Sequence, residues 1–447
     1  MQRKISFSLL AILVSGCLIL SAGLIFMAGW LLKSQKAYKA PSVPPTPTLP
    51  VNEQMDQIQE QVSTIRGLDM TGTLDRSMMS NAELQEVVIN DFFADYTAED
   101  EATDVAELSM WGLLPADFQL SQFYKDLYSE QIAGFYDSET KEMNVISDGA
   151  FGGLERMTYA HEFTHVLQDQ HYDLQDGLKL NDEDCETALD YCMAVSALVE
   201  GDATLSEQYW FLKDSTNTDK ADVSDFQASY QSPVYDSAPE YMKQDFLFPY
   251  TQGFEFVNTL YKQHKWRSVD EAYQNPPVSS EQILHPELYP QDQPLKVDLP
   301  DFSPSLGEGW QALDLNTMGE WYTRLILSAG YEASYRLDPD EAATAADGWG
   351  GDTYALYGNG DRTDYVFVWL SSWDTPTDAE EFFSSSVHYG NLRWHTAADE
   401  NFDSASWQTT DGMQVEMQLI GSDVFWLISS DQAAAEIVLS ELDLVEY

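Results

Sequence analysis

The chain has 447 residues, enough for two or three domains with cores of their own. Its hydrophobic content of 44% and aromatic content of 13% are those of a folded protein and exclude a disordered chain. The balance of 75 Asp and Glu against 22 Lys and Arg gives a net charge of -53, which repels nucleic acid phosphates and anionic headgroups. We therefore expect no nucleic acid partner, and the acidity indicates solubility in an extracellular or salty setting.

The N-terminal apolar segment, residues 5–32, contains no charged side chain. It is long enough to cross a bilayer as a helix and longer than the apolar region of a usual signal peptide. We expect a transmembrane signal-anchor over residues 1–33 that places the rest of the chain on the outer side of the cell membrane. An alternative is lipid anchoring at Cys17, because the Leu-Val-Ser-Gly before it is typical of a bacterial lipobox.

Residues 34–52 contain five prolines and predict a stiff, extended linker between the membrane and the folded part. Beyond the linker, the sequence divides into a domain over residues 53–300 and a second domain over residues 301–447. The first elements predicted in chain order are helices at 53–65, 81–93 and 122–127, a strand at 74–79 and an acidic loop at 99–104.

Two short strands precede the most informative segment of the chain. Residues 134–137 and 142–146 are joined by a Ser-Glu-Thr-Lys turn, which predicts a β-hairpin. A helix over residues 154–170 follows directly, and a second helix over residues 187–212 comes after a polar loop. The remaining predictions for this domain are a loop at 213–221 and a largely helical segment at 246–277.

The first of these two helices contains His161-Glu162-Phe163-Thr164-His165. Residues four apart lie on the same face of a helix, so the two imidazoles can grip one metal ion. The intervening Glu162 then lies near the open coordination position, where it can take a proton from bound water. The pattern predicts a zinc site and a hydrolase, most simply a peptidase.

A zinc hydrolase site needs a third protein ligand, and two residues compete for that role. His171 stands six residues after His165, but Gln168 occupies the position where a glycine would let the chain turn back to the metal. Glu200 lies in an apolar stretch of the second helix, where a charge is costly unless it is paired or bound to a metal. We favour Glu200, with Gly201 allowing the two helices a close approach.

Two cysteines follow the first helix, Cys185 and Cys192. On one straight helix they would be too far apart to form a disulfide. A disulfide in an oxidising exterior therefore requires Cys185 to precede the second helix, and two free thiols are the alternative.

From about residue 304 short strands and helices alternate, which indicates a separate α+β domain. Strands are predicted at 354–357, 365–370, 414–419 and 424–429, and helices at 320–329, 340–346, 377–385 and 433–442. Five tryptophans of this domain could line a ligand surface, although such residues more often fill the core: Trp310, Trp321, Trp349, Trp369 and Trp373.

Several stretches together resemble a group of uncharacterised bacterial secreted or membrane-anchored metallopeptidases of the gluzincin type. The most specific are the His-Glu-x-x-His run at 161–165 and Glu-Gly-Asp-Ala at 200–203. The other stretches that carry the resemblance are residues 130–137, 168–171, 280–286 and 348–352, and Pro249-Tyr250 with Gly253.

The resemblance implies an α+β fold in which a mostly helical zincin-like domain has a small edge sheet, where substrate binds as an added strand. It implies Zn²⁺ held by His161, His165 and Glu200. Glu162 would act as general base in the hydrolysis of a protein or peptide substrate.

Gluzincins also place a Tyr or a His where it hydrogen-bonds the developing oxyanion. Tyr250 and His285 are the candidates here, and Asp202 or Asp169 would orient a ligand histidine. An alternative function is a catalytically inactive, zinc-stabilised binding protein of the cell envelope, against which the retained Glu162 argues. A further alternative assigns envelope recognition to the C-terminal domain.

Overall fold

The computed structural model describes residues 18–20, 49–94 and 96–442 of the chain. Helices and strands are mixed throughout, which makes the protein α+β as expected. The elements up to the second helix of the predicted site are β1 (Leu18–Leu20), α1 (Val51–Arg66), β2 (Asp75–Met79), α2 (Asn81–Val87), α3 (Ala98–Met110), α4 (Leu120–Gln131), β3 (Ile132–Asp137), β4 (Glu142–Ile146), α5 (Gly153–Tyr172), α6 (Asp182–Cys185) and α7 (Leu189–Lys213).

The remaining elements lead from this helical part into a large sheet. They are α8 (Asn217–Ser229), α9 (Pro233–Asp236), α10 (Glu240–His264), α11 (Trp266–Gln274), α12 (Ser280–Leu284), α13 (Ser303–Leu306), β5 (Gln311–Asn316), α14 (Gly319–Ser328), α15 (Pro339–Ala346), β6 (Trp349–Gly358), β7 (Tyr365–Trp373), α16 (Pro376–Arg393), β8 (Asp399–Glu400), β9 (Ser404–Gln408), β10 (Gln414–Ile420), β11 (Asp423–Ser429) and α17 (Gln432–Leu442).

Most of the predicted signal-anchor lies outside the described residues. The same is true of Cys17, the alternative site of lipid anchoring, and of most of the proline-rich linker. Of the anchor segment, only Leu18–Leu20 is described, and it forms the strand β1. Among the helices that the structure describes, none combines the length and the apolar character needed to cross a bilayer.

A small sheet precedes the helix that carries the paired histidines. Its strands lie in the order β1-β3-β4-β2, with β3 and β4 forming the predicted antiparallel hairpin and β2 parallel to β4. Strand β3 is not at the edge of this sheet, because β1 pairs with it and places Leu18 opposite Phe135. The hairpin itself is confirmed, with Asp137 paired to Glu142 across the predicted turn.

Helix α7 is buried along nearly its whole length, because apolar side chains occur on all its faces. It packs against α5 on one side and α10 on another. A Cβ atom on Gly201 would lie 2.2 Å from the carbonyl oxygen of Gly253, and one on Gly253 would lie 2.1 Å from that of Ala197. Gly201 thus provides a close approach as expected, but to α10 and not to α5.

The C-terminal part is built on a sheet whose strands in the described residues run in the order β5-β6-β7-β11-β10-β9-β8, each antiparallel to its neighbours. Successive side chains point to opposite faces, so Val368 joins the core below α17 while Trp369 packs on Phe382 of α16. Trp349, Trp369 and Trp373 are at most 2% exposed and fill the core. They therefore do not line a ligand surface.

One hydrophobic core extends across the predicted boundary at residue 300. The ring of Trp111, which follows α3, lies 5.2 Å from that of Tyr354 and 5.7 Å from that of Tyr322. The hydroxyl of Tyr354 also donates to Asp314 at 2.8 Å and lies 3.1 Å from Glu107 of α3. The two parts are thus joined by packing and by buried polar contacts.

Two predicted loops are wrong because capping residues start helices there. Thr97 and Asp100 form a capping box at the start of α3, so the acidic residues after them lie at the favourable end of the helix dipole. Thr216 and Asp219 start α8 in the same way, within the segment predicted as a loop.

Candidate metal centre

Helices α5 and α7 bring His161, His165 and Glu200 together. His161 Nε2 lies 3.0 Å from Glu200 Oε2, and His165 Nε2 lies 3.5 Å from the same oxygen. The two imidazole rings are 4.8 Å apart, as expected for residues one helical turn apart on one face. Each of the three side chains is at most 1% exposed.

A hydrogen bond fixes the other ring nitrogen of each histidine. His161 Nδ1 lies 2.9 Å from Glu207 Oε2, and His165 Nδ1 lies 2.8 Å from Gln168 Oε1. A carboxylate and an amide oxygen accept from N–H groups, so both rings carry the proton on Nδ1. The Nε2 atoms of both rings face Glu200, so a metal ion that replaced a proton there would meet Nε2 lone pairs, as metal-binding histidines require.

Gln168 is itself held by a buried network behind His165. Its amide nitrogen donates to the carbonyl oxygen of Val199 and to Asp202. Asp202 also accepts from Arg66 at 2.8 Å and from the hydroxyl of Tyr273 at 2.9 Å. Asp202 therefore orients His165 through Gln168, which fulfils one of the two expectations for this role.

The charges of the centre depend on one another. Burial alone would lower the pKa of His161, but hydrogen bonds to Glu200 and Glu207 outweigh it and raise that pKa to about 10. Burial raises the pKa of Glu200, but the neighbouring His165 and His161 outweigh it and lower that pKa below its ordinary value. The cluster thus favours an ionised Glu200 beside one positive charge. A proton on His161 supplies that charge here, and a metal ion can take the place of the proton.

Two buried atoms indicate that the residues fit a metal ion. His165 Nε2 and Glu200 Oε1 receive no hydrogen bond from the described part of the chain. Leaving such atoms buried without partners is costly, and a cation between them removes the cost. Ligand atoms around tetrahedral zinc stand about 3.4 Å apart, close to the 3.0 and 3.5 Å separations here. Among the described residues, these three also form a group able to hold a metal ion.

Glu162 and Tyr250 lie beside this group. Glu162 is fully buried between α5 and β3, where a Cβ atom on Gly134 would lie 3.3 Å from its Cγ. The ring of Tyr250, on α10, is 6.3 Å from that of His161. Gly134 therefore allows the strand to lie close to the residue predicted as the general base.

The structure places the other candidates elsewhere. His171 is exposed, and its Nε2 faces the carbonyl oxygen of Asp69. His285 lies against Glu320 of α14 at 3.0 Å, and no contact of the described residues joins it to the three ligand candidates. Asp169 accepts from Tyr136 and Lys141 and does not reach either histidine. The placement of His285 does not support the oxyanion role predicted for it, and Asp169 does not orient a ligand histidine.

The sequence pattern did not identify the contacts of Glu207 with His161 and of Gln168 with His165. Glu207 follows Glu200 by seven residues, two helical turns, so it lies on the same face of a buried helix. This spacing is the feature of the sequence from which a role for Glu207 beside Glu200 could have been predicted. In the sequence, Gln168 stands where a glycine would let the chain turn toward His171, whereas in the structure its side chain holds His165.

Residues 310–439 match a family described as a domain of unknown function, DUF8575. This match covers the large sheet and its helices and not the metal centre. Comparison with curated proteins and with solved structures gave no match.

Proposed function

We propose that the protein is a zinc-dependent metallopeptidase. The observation that carries the proposal is the convergence of His161, His165 and Glu200, with two buried atoms that have no hydrogen-bond partner in the described chain. Each histidine is oriented by a polar partner of its own, an arrangement typical of metal ligands. Two histidine nitrogens and a glutamate oxygen form one of the known ligand sets of catalytic zinc.

Bound zinc would supply a Lewis acid that acidifies a water molecule and polarises the scissile carbonyl. Glu162 would accept the proton of the attacking water and deliver it to the leaving amine. The hydroxyl of Tyr250 would donate a hydrogen bond to the oxyanion of the tetrahedral intermediate. Substrate would pair with β3 in the position that β1 occupies in the structure, because β3 lies against Glu162.

The disulfide supports a location outside the cytoplasm. Cys185 and Cys192 are bonded, with Cα atoms 5.7 Å apart, because Cys185 belongs to the short helix α6 that precedes α7. Disulfides persist in oxidising compartments. The proposal therefore includes display on the outer side of the cell membrane by an N-terminal anchor, with protein or peptide substrates.

The replacement Glu162→Gln tests the proposed base. It keeps the size of the side chain and removes its proton affinity, so zinc content should stay the same while hydrolysis of casein falls by at least about a hundredfold. Glu155→Gln is a matched control on the same helix, because Glu155 caps the N-terminus of that helix by accepting the N–H of Gly152. Full activity of Glu162→Gln would contradict the mechanism. Absence of hydrolysis by the zinc-loaded wild-type chain would favour the inactive binding protein.

The ligand set has a separate test by elemental analysis. Glu200→Ala should lose zinc, whereas His171→Ala should keep it, because His171 is exposed and faces Asp69. Zinc lost from His171→Ala and kept by Glu200→Ala would instead indicate a site closed by His171.

A further inference from the structure

Strand β1 lies where a peptide that adds to the sheet as a strand would lie. It pairs antiparallel with β3, while β4 pairs with the other side of β3. It also lies against α5, the helix that carries His161 and Glu162. A segment of the chain itself thus borders both the strand and the helix beside the candidate metal centre.

The register of this pairing places β1 beside the proposed base. Leu18 lies opposite Phe135, and Ile19 lies opposite Gly134. Gly134 is the residue of β3 at which a Cβ atom would lie 3.3 Å from Cγ of Glu162. The backbone of Ile19 therefore pairs with the part of β3 that lies against Glu162.

Without β1, strand β3 would end the described sheet on this side. The backbone N–H and C=O groups that it turns toward β1 would then be free to pair with another extended chain. The other strands have contacts of their own, because β3 pairs with β4, β4 pairs with β2, and α5 packs on β3 and β4. We therefore expect the sheet to persist when β1 leaves it.

The residues of β1 belong to the uncharged apolar segment 5–32. The proposed anchor places that segment in a bilayer, where a single span of the chain is helical. Residues 18–20 cannot belong to a membrane helix and to β1 at the same time. Insertion of the segment into a bilayer would therefore leave β3 without β1.

The chain between β1 and the helical part is long enough for both states. Residues 21–48 can span at most about 100 Å when fully extended. A flexible tether holds the segment near β3 at an effective concentration on the order of a millimolar. A weak strand pairing can therefore compete with dilute substrate for β3.

We propose, on the basis of the proposed peptidase function, that residues 18–20 are an autoinhibitory strand. The strand occupies the substrate position on β3 and leaves it when the apolar segment inserts into a bilayer. Chains outside the membrane are therefore latent, and hydrolysis starts where the protein is anchored. The competing explanation is a permanent fourth strand of the sheet, whose loss would lower stability without raising hydrolysis.

The test is the double replacement Leu18→Pro and Ile19→Pro in the full chain, in buffer without lipid. Consecutive N–H groups of a strand point in opposite directions, so one of the two prolines removes a donor that faces β3. Hydrogen exchange of the backbone at residues 132–135 should become at least about tenfold faster, and this measurement needs neither zinc nor substrate. The double replacement by valine is the matched control, because it keeps both N–H groups and should exchange as the wild-type chain does.

Hydrolysis of casein by the zinc-loaded chains measures latency itself. If β1 covers β3 in about nine molecules of ten, the proline variant should be about tenfold more active than the wild-type chain and the valine control. Reconstitution of the wild-type chain into phosphatidylcholine vesicles should raise its hydrolysis by a similar factor. A neutral lipid avoids repulsion of the acidic chain.

Equal exchange at residues 132–135 in the proline variant and the wild-type chain would overturn the proposal, because β1 would then not cover β3. Faster exchange without faster hydrolysis would overturn it in favour of a permanent strand. Hydrolysis that stays the same in vesicles would exclude release by the membrane. Absence of hydrolysis by all the chains would instead refute the peptidase function, whatever the exchange rates are.

Discussion

The hydrogen bond between Glu207 and His161 offers a quantitative test of the metal centre. Glu207 Oε2 lies 2.9 Å from His161 Nδ1, and both side chains are at most 1% exposed. The carboxylate fixes the tautomer that leaves the Nε2 lone pair for a metal. The replacements Glu207→Gln and Glu207→Ala should therefore weaken zinc binding to different degrees.

Loss of such a partner typically lowers metal affinity 10–100-fold, equivalent to about 1.4–2.7 kcal/mol. Glutamine keeps an oxygen that can accept from Nδ1–H and loses only the charge, so Glu207→Gln should lie at the tenfold end. Alanine leaves Nδ1–H buried without an acceptor, so Glu207→Ala should lie at the hundredfold end.

Competition with a chromogenic chelator would measure the zinc affinity of each variant. Glu183→Gln is a suitable control, because Glu183 is exposed on α6, before the helix that carries Glu207. Equal zinc affinity of Glu207→Ala and the wild-type chain would refute the reasoning, since it would show that His161 is not a ligand or that its orientation is fixed by other contacts.

Three further predictions concern stability, and urea unfolding measures each of them. In Gly201→Ala the new Cβ atom would meet a carbonyl oxygen of α10 at 2.2 Å, so stability should fall by about 1–3 kcal/mol, and an unchanged midpoint would contradict that packing. Burial and the charge of Asp314 raise the pKa of Glu107 well above its ordinary value. The stability that this group contributes is complete below about pH 4.3, its unfolded pKa, and is lost as pH rises through the folded pKa. Glu107→Gln should therefore show a flatter dependence of stability on pH, and an identical profile would exclude this origin. Reduction of the bond between Cys185 and Cys192, at a sequence separation of 7, should cost about 2–3 kcal/mol, whereas no change would show that the contacts of α6 suffice without it.

The grouping of His161, His165 and Glu200 could be predicted from the sequence, because the positions of these residues follow from local geometry. His161 and His165 share a helix face by their spacing alone, and Glu200 is a charge in an apolar helix. The strands and helices around them also follow from periodicity, including the hairpin before α5.

Other features depend on contacts between distant residues and could not be read from spacing. His285 was a reasonable oxyanion candidate by residue type, but only the packing of α12 on α14 places it beside Glu320. Gly201 was expected to face α5, and the rotation of α7 that turns it toward α10 is set by tertiary packing. The start of α3 was missed for a different reason, because its acidic composition resembles a loop unless the capping box at Thr97 is recognised.

The Glu-Gly-Asp sequence at residues 200–202 gives α7 three directions of contact within a single turn. Glu200 faces the histidines of α5, Gly201 faces α10, and Asp202 pairs with Arg66 of α1. Consecutive residues differ by about 100° around a helix. Inserting or deleting one residue within this triplet would therefore rotate the residues that follow it away from their partners. The uninterrupted triplet, with Glu207 two turns later, is therefore a search criterion that separates homologues with an intact centre from homologues that keep only the histidine motif.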